Sequence, residues 1–214
     1  ERVGGTVTVI SMGPPQADVA LREALAMGCD EAYLVSGREF GGSDTYATSG
    51  ILAAALRKIG YDIIVTGRQA IDGDTAQVGP QIGEKLGIPQ VSYVQEIKEA
   101  AEDHLVVNRY FEDGYHIIKI KTPCLLTAIA ELAKPRYMTV SGIVDAYEKE
   151  IKIIGFEDLK DDLELDMIGL KGSPTNVYKS FTKEVKGAGT ILKDVSADQA
   201  VAAIMEKLEA KHII

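Results

Sequence analysis

The sequence is poor in the features that mark extracellular, nucleic-acid-binding and membrane proteins. Its two cysteines, Cys29 and Cys124, are too few for a disulfide framework, and we interpret them as buried reduced thiols. The 23 lysines and arginines form no cluster and are outnumbered by 32 acidic residues, which argues against nucleic acid or an anionic membrane as a partner. No signal peptide and no apolar run of membrane-spanning length is found, so we expect a cytoplasmic protein.

Motifs for bond-making chemistry are missing as well. There is no Walker A lysine loop, which disfavours NTP hydrolysis, and no G-x-G-x-x-G, the usual dinucleotide fingerprint. No serine stands in a nucleophile-elbow pattern. The histidines His104, His116 and His212 are scattered, without cysteine or carboxylate partners at ligand spacing. We therefore predict neither a catalytic residue nor a metal site.

What the sequence does contain is the repeating pattern of an α/β protein. Its 214 residues, 46% of them hydrophobic, suit one α/β domain with an appendage. Three times a helical stretch ends in glycine and a short, continuously apolar strand follows, as is typical of parallel strands covered on both faces. With an opening strand at 6–11, this order predicts an open, mostly parallel, Rossmann-like sheet with flanking helices. The helices end at Gly28, Gly60 and Gly87, and the strands follow at 32–35, 62–65 and 88–94.

The pattern changes in the second half of the chain. Apolar segments at 105–111 and 115–121 flank an Asp-Gly turn, which predicts a β-hairpin, and a further strand is expected from Cys124. From about residue 149 no pattern persists until a closing helix at Ser196, whose capping box uses Gln199. Since long irregular stretches are rare inside compact domains, we predict a nucleotide-binding domain at 1–148 and a partner-binding arm at 149–214.

The densest candidate for a ligand site is the loop at 66–80, which follows an apolar strand and opens a helix. Ligands of open α/β sheets bind beyond the carboxyl ends of strands, and helix N-termini there offer N–H groups to phosphate. Gly67 and Gly73 allow close backbone approach, Arg68 can neutralise charge, and Thr75 and Gln77 can donate hydrogen bonds. The alternative is an ordinary capped turn.

Two other clusters are weaker candidates. Ser11–Pro14 directly follows the opening strand, but it also fits a simple turn with proline at a helix start. The segment 38–48 either lines the site or caps a helix. Asp72 and Asp74 would repel a phosphate, so we expect them to cap the helix, contact ribose or bind backbone amides.

The loop Gly67–Val78, GRQAIDGDTAQV, resembles the signature of electron-transfer flavoprotein β subunits, G-x-Q-A-I-D-x-D followed by Gln. Segments 11–17, 25–28 and 134–139 are similar to the family too. The resemblance implies an adenine-nucleotide-binding α/β domain and an obligate α subunit, which carries the electron-transferring FAD and is embraced by the C-terminal arm. It assigns nucleotide binding to Met12, Gly67, Arg68, Gln69, Ala70, Asp72, Gly73, Asp74, Thr75, Ala76, Gln77 and Val78.

The segment after Pro135 is similar to the recognition loop with which the family docks acyl-CoA dehydrogenases. Val140 stands at the position of its apolar anchor. The resemblance thereby assigns partner docking to Pro135, Arg136, Tyr137, Val140 and Ile143.

Segments 72–80 and 168–175 resemble the electron-bifurcating subgroup. In that subgroup a second FAD replaces the structural AMP of ordinary members and accepts a hydride from NADH. One electron passes to ferredoxin or flavodoxin, the other through the α-subunit FAD to an acyl-CoA dehydrogenase, so NADH is oxidised only by the αβ complex. The segment 38–48 would line the NADH side. The alternatives are a non-bifurcating β subunit with AMP, a nucleotide-sensing module, or an adenylyl-transfer enzyme of related fold.

The chain departs from the family at its beginning. It starts at Glu1-Arg2-Val3 without methionine, whereas members have roughly fifty further N-terminal residues that supply one strand and one helix of the α/β sheet. We therefore expect a missing segment that holds the first strand and part of the nucleotide pocket.

Overall fold

The computed structural model describes residues 4–71, 73–182, 187 and 189–214. Within them, strands and helices alternate through the first half of the chain and a meander of strands follows. The strands are β1 (Thr8–Met12), β2 (Glu31–Val35), β3 (Ile63–Gly67), β4 (Gln90–Ala100), β5 (His104–Phe111), β6 (Gly114–Lys121), β7 (Cys124–Ala128) and β8 (Ile151–Ile154). The helices are α1 (Asp18–Ala26), α2 (Thr45–Ile59), α3 (Val78–Leu86), α4 (Val140–Glu148), α5 (Phe156–Leu159) and α6 (Ala197–Ala210).

The first sheet is parallel, with the strand order β1-β2-β8. Its central strand carries an uncharged, mostly apolar run from Ala32 to Val35, and both of its faces are covered. Ala32 and Leu34 pack with residues of α1 and α4, while Val35 packs on the opposite face against α2. Such two-sided burial is what the continuous apolar run of β2 predicts.

The second sheet is mixed, with the order β3-β7-β4-β5-β6. The pairs β3–β7 and β7–β4 are parallel, and β4–β5 and β5–β6 are antiparallel. The predicted hairpin is confirmed, with Phe111 opposite Gly114 across the turn. The α/β fold class, with mostly parallel strands, flanking helices and a hairpin, is confirmed as well.

One expectation needs correction, because the described strands form two sheets rather than a single open one. β1 ends one sheet and β3 ends the other, and no hydrogen-bonded pairing joins them in the described residues. Between these two strands lies a groove of about 480 Å³, whose lining includes Thr8, Ile10, Ile63 and Val65.

The chain divides into two compact units, one reaching to Asn176 and the other comprising 177–214. β8 and α5 belong to the first unit, and the predicted boundary at residue 148 stays a prediction. The second unit contains α6, whose predicted capping box of Ser196 and Gln199 is confirmed. No residue of α6 is buried. None of the helices in the described ranges is both long and apolar enough to cross a membrane.

The two cysteines are free thiols in different surroundings. Cys124 is fully buried in β7, as predicted, whereas Cys29 is only half-buried. Burial raises the pKa of both thiols.

Candidate functional site

The carboxyl ends of β1 and β3 and the amino ends of α2 and α3 meet at a cavity of about 590 Å³. Its floor is apolar and formed by side chains of the strands and helices beneath it, namely Ile10, Leu52, Leu56, Ile64 and Ile82. This position, beyond the carboxyl ends of parallel strands, is where α/β sheets bind ligands, and the volume lies in the usual range for small-molecule pockets.

The structure brings most of the predicted site residues together in this cavity. Its rim is built by the loop between β3 and α3, and Met12 reaches it from β1. Asp74 belongs to the same loop without lining the cavity, and Asp72 lies outside the described residues. The predicted residues that line it are Met12, Gly67, Arg68, Gln69, Ala70, Gly73, Thr75, Ala76, Gln77 and Val78.

The amino end of α3 provides the polar part of the cavity. Gln77 is the N-cap residue of this helix, and its side chain makes no capping hydrogen bond. The first-turn N–H groups of a helix have no partner within the helix, and together with the helix dipole they attract anions. An uncapped helix end at a cavity is therefore suited to a phosphate group.

Close packing holds α3 in this place. Gly79, in its first turn, lies so near the sheet that a Cβ atom there would be 2.6 Å from Thr66 Oγ1 and 2.9 Å from Thr127 Cγ2. Such distances are too short for any side chain, so only glycine lets the helix approach β3 and β7 this closely.

The loop itself has an unusual backbone. Asp74 and Ala76 have positive φ angles of 51° and 54°, a conformation that costs energy for residues other than glycine. The turn is closed by the Asp74 amide, which donates to the Ala70 carbonyl over 3.0 Å. The Gln69 side-chain amide donates to the Asp74 carboxylate. Asp74 is thus engaged within the loop, and the expectation that it caps α3 is wrong for this residue, because Gln77 occupies the N-cap position.

Two cavity residues have distinctive polar atoms although the set assigned by the family resemblance omits them. Thr66 Oγ1 is buried and has no hydrogen-bond partner among the described residues. Thr45 donates from its hydroxyl to Gln77 Oε1 over 2.9 Å, which leaves the Gln77 amide nitrogen as the donor for a ligand. Thr66 is the first residue of the candidate loop 66–80, and its place at a strand end is the signal that identifies it. The role of Thr45 depends on a contact between two helices, which no local motif reveals.

Two larger clefts adjoin the cavity through shared residues. Arg68 and Gln69 also line a cleft of about 1190 Å³ beside the hairpin, together with Tyr93, Tyr110 and Phe111. Met12 also lines a cleft of about 1310 Å³, which includes residues 13–15, 36–38 and 40–43. The two weaker sequence clusters, Ser11–Pro14 and 38–48, therefore meet beside the main cavity.

The predicted docking residues lie on α4 and in the segment just before it. Tyr137 is 97% exposed and Val140 81% exposed, and Ile143 follows on the same helix. Thr139 caps the helix by accepting from the Gly142 amide over 3.0 Å. The Arg136 side chain reaches back to Gly28, and Pro135 stands just before it. In the described part of the chain, no cluster of three or more His, Cys, Asp and Glu residues could hold a metal ion.

Comparison of the sequence with known proteins shows which family the chain belongs to. The family model for the electron transfer flavoprotein domain matches residues 1–158. An electron transfer flavoprotein subunit beta of Thermoanaerobacterium thermosaccharolyticum is 56% identical over 217 residues, covering 100% of this chain and 81% of the relative.

Two further relatives are named for larger complexes. The acryloyl-CoA reductase electron transfer subunit gamma of Anaerotignum propionicum is 53% identical over 220 residues, covering 100% of this chain and 82% of the relative. A subunit of the caffeyl-CoA reductase–Etf complex of Acetobacterium woodii is 49% identical over 215 residues, covering 100% and 81%. Because the family model spans more than half of the chain and these relatives align with all of it, the chain belongs to the electron-transfer flavoprotein family, among its β subunits.

Proposed function

We propose that this β subunit binds FAD in the cavity between β1, β3 and α3 and takes part in NADH-dependent electron bifurcation. The observation that carries the proposal is the convergence of Met12 and the loop Gly67–Val78 on one cavity whose polar end is the uncapped N-terminus of α3. The cavity offers a phosphate group both N–H donors and the positive end of a helix dipole.

Different residues of the cavity would bind different parts of a nucleotide. Arg68 supplies positive charge against the phosphates, and Thr75 and the Gln77 amide nitrogen supply hydrogen-bond donors. The apolar floor accommodates a planar base. Thr66 Oγ1, buried and unpaired among the described residues, fits a site in which a ligand completes the hydrogen bonding. When bound, FAD supplies hydride acceptance from NADH and the release of single electrons.

The surroundings of the cavity favour FAD over AMP. A dinucleotide needs space beyond the pocket that holds its adenosine half, and the two adjoining clefts offer such space on the sides of Arg68 and Met12. We assign the cleft with residues 36–38 and 40–43 to the NADH side. The alternative is a non-bifurcating β subunit that holds a structural AMP in the same cavity.

The proposed partners are an α subunit, ferredoxin or flavodoxin, and an acyl-CoA dehydrogenase. The relatives named for acryloyl-CoA reductase and caffeyl-CoA reductase complexes support a partner that acts on acyl-CoA compounds. The exposed apolar side chains Tyr137 and Val140 support docking of that partner at α4. The exposure of Val177, Tyr178 and Phe181 supports an arm that packs on the α subunit.

The groove between β1 and β3 supports one more part of the proposal. Both strands present unpaired edges to it, and Ile63 and Val65 are exposed there. An additional strand would pair with both edges and join the two sheets into one. We therefore assign this groove to a further strand as its occupant.

The test is to co-express the full-length chain with its α subunit, extract the cofactors, and count FAD and AMP per heterodimer before adding NADH. Two FAD, no AMP and rapid bleaching by NADH are expected. One FAD with one AMP and no response to NADH would leave a simple electron carrier, and turnover of ATP would point instead to an adenylyl-transfer enzyme.

A further inference from the structure

The amino terminus of α2 is held by a part of the chain more than a hundred residues away. Asp44 is the N-cap residue of the helix, and its Oδ1 accepts from the amides of Tyr46 and Ala47 over 3.0 and 3.1 Å. Its other oxygen, Oδ2, accepts from both the amide and the hydroxyl of Thr175, each over 3.0 Å. One carboxylate thus caps the helix and binds the distant segment at the same time.

Neighbouring contacts make this attachment a network. The Asp44 amide donates to Ser173 Oγ over 2.8 Å, and that hydroxyl donates to the Gly169 carbonyl over 2.6 Å. The Gly169 amide in turn donates to Ser43 Oγ over 3.1 Å. Ser173 is 9% exposed, so these bonds are largely shielded from water.

Gly169 allows the segment to lie this close to α2. Its φ angle is +59°, and a Cβ atom there would be 2.4 Å from the Glu39 carbonyl oxygen. Neither the conformation nor the space admits another residue without a shift of the backbone. The segment 169–175, which we call the clasp, is therefore built to fit the α2 amino terminus.

The residue next to Asp44 connects this network to the cavity. Thr45 donates to Gln77 Oε1, and one helical turn later the buried Ser49 hydroxyl lies 3.1 Å from Gln81 Oε1. These two contacts, spaced by four residues on both helices, fix α2 against α3. A displacement of Asp44 must therefore move Thr45 and change the orientation of the Gln77 amide.

We infer that Asp44 and Thr175 are positioning residues for the nucleotide, because the clasp fixes Gln77 and the amino end of α3 through Thr45. This inference rests on the proposed nucleotide function of the cavity. The hydrogen bonds to Asp44 are charge-assisted and hence stronger than neutral ones. We therefore expect the loss of one of them to displace the amino end of α2. The linkage is reciprocal, so nucleotide binding also tightens the clasp.

The experiment compares Thr175→Val, which removes the hydroxyl but keeps the shape, with Thr175→Ser, which keeps the hydroxyl. In the full chain with its α subunit, T175V is expected to weaken binding of FAD or AMP about fivefold, whereas T175S binds as the unmodified protein does. In the nucleotide-free protein, T175V should also accelerate amide hydrogen exchange at residues 75–81 by a similar factor. The exchange measurement follows the linkage without relying on a nucleotide.

A double-mutant cycle with Thr45→Val tests the route. If the clasp acts through Thr45, T175V should add nothing to the exchange rates of residues 75–81 in the T45V background. Additive effects, or faster exchange confined to 169–176, would overturn the inference while leaving the nucleotide site intact. Failure of the unmodified complex to bind either FAD or AMP would instead overturn the proposed function, and the positioning role with it. Thermal unfolding of each variant verifies that it is folded.

Discussion

The helices α2 and α3 begin side by side at one cavity, and only the amino terminus of α2 carries a side-chain cap. α2 has a carboxylate cap, Asp44, which is itself bound by a distant segment. α3 has no side-chain cap at Gln77 and opens onto a cavity. Since capping satisfies the same N–H groups that bind anions, a helix end can serve either stability or ligand binding. On the proposed function, α2 is the supporting helix and α3 is the helix that binds the nucleotide.

The largest effect is expected from moving α3 away from the sheet. Gly79→Ala places a Cβ atom against Thr66 and Thr127, so the helix must shift. We expect a loss of about 1–3 kcal/mol in the free energy of unfolding, as for other overpacked sites, and at least tenfold weaker nucleotide binding. Urea unfolding and calorimetry measure the two quantities.

Gly50→Ala is the matched control on α2. The nearest atom to its new Cβ is the tip of Lys85, 3.7 Å away, which is ordinary contact. Replacing glycine by alanine inside a helix should then stabilise the protein by about 0.5–1 kcal/mol. If Gly79→Ala and Gly50→Ala behaved alike, close packing of α3 would not be what shapes the cavity.

A second change makes the two helix ends alike. Gln77→Asp puts a carboxylate at the amino end of α3, where it interacts favourably with the helix dipole but repels a phosphate. We expect about tenfold weaker nucleotide binding, with the free energy of unfolding changed by less than about 1 kcal/mol. Gln77→Asn, which is equally short but neutral, also loses the contact with Thr45, so it should weaken binding about fivefold, less than Gln77→Asp does. Equal losses in both variants would mean that side-chain length, rather than charge, matters at this position.

The sequence indicates the local features of this comparison better than the distant ones. The helix starting after Asp44 and the loop Gly67–Val78 can be predicted from the sequence, because caps, glycines and apolar runs act over a few residues. The separation into two sheets cannot be predicted in this way, because it depends on which strands pair across the whole chain. The contact of Thr45 with Gln77 spans 32 residues, and that of Asp44 with Thr175 spans 131. Residues 169–175 therefore appear in the sequence as part of an irregular arm, although they bind α2.

The cap of α2 predicts a smaller, pH-dependent effect. Desolvation raises the pKa of Asp44, but the hydrogen bonds from Ala47, Thr175 and Tyr46 outweigh it and hold the pKa below its ordinary value. A lowered pKa stabilises the fold above the unfolded-state pKa of about 3.9, and this contribution is lost as the pH falls through the folded-state value. The free energy of unfolding of Asp44→Asn should thus differ most from that of the unmodified protein near pH 6, and the difference should shrink toward pH 3. A constant difference across this range would show that the charge of Asp44 is not involved.

The smallest effect on stability is expected at a third helix end, that of α4. Thr139 caps this helix as Asp44 caps α2, and the first-turn residue Val140 is 81% exposed. Val140→Ala should change the free energy of unfolding by less than about 0.5 kcal/mol, since surface substitutions rarely do more. If α4 docks the acyl-CoA dehydrogenase, the same variant should slow electron transfer to that enzyme while nucleotide content stays unchanged. The neighbouring exposed Val144→Ala serves as a comparison along the same helix, and steady-state reduction of the dehydrogenase is the measurement. Unchanged electron transfer in both variants would remove α4 from the docking surface. Of the three helix ends compared, only that of α3 would then keep a proposed binding role.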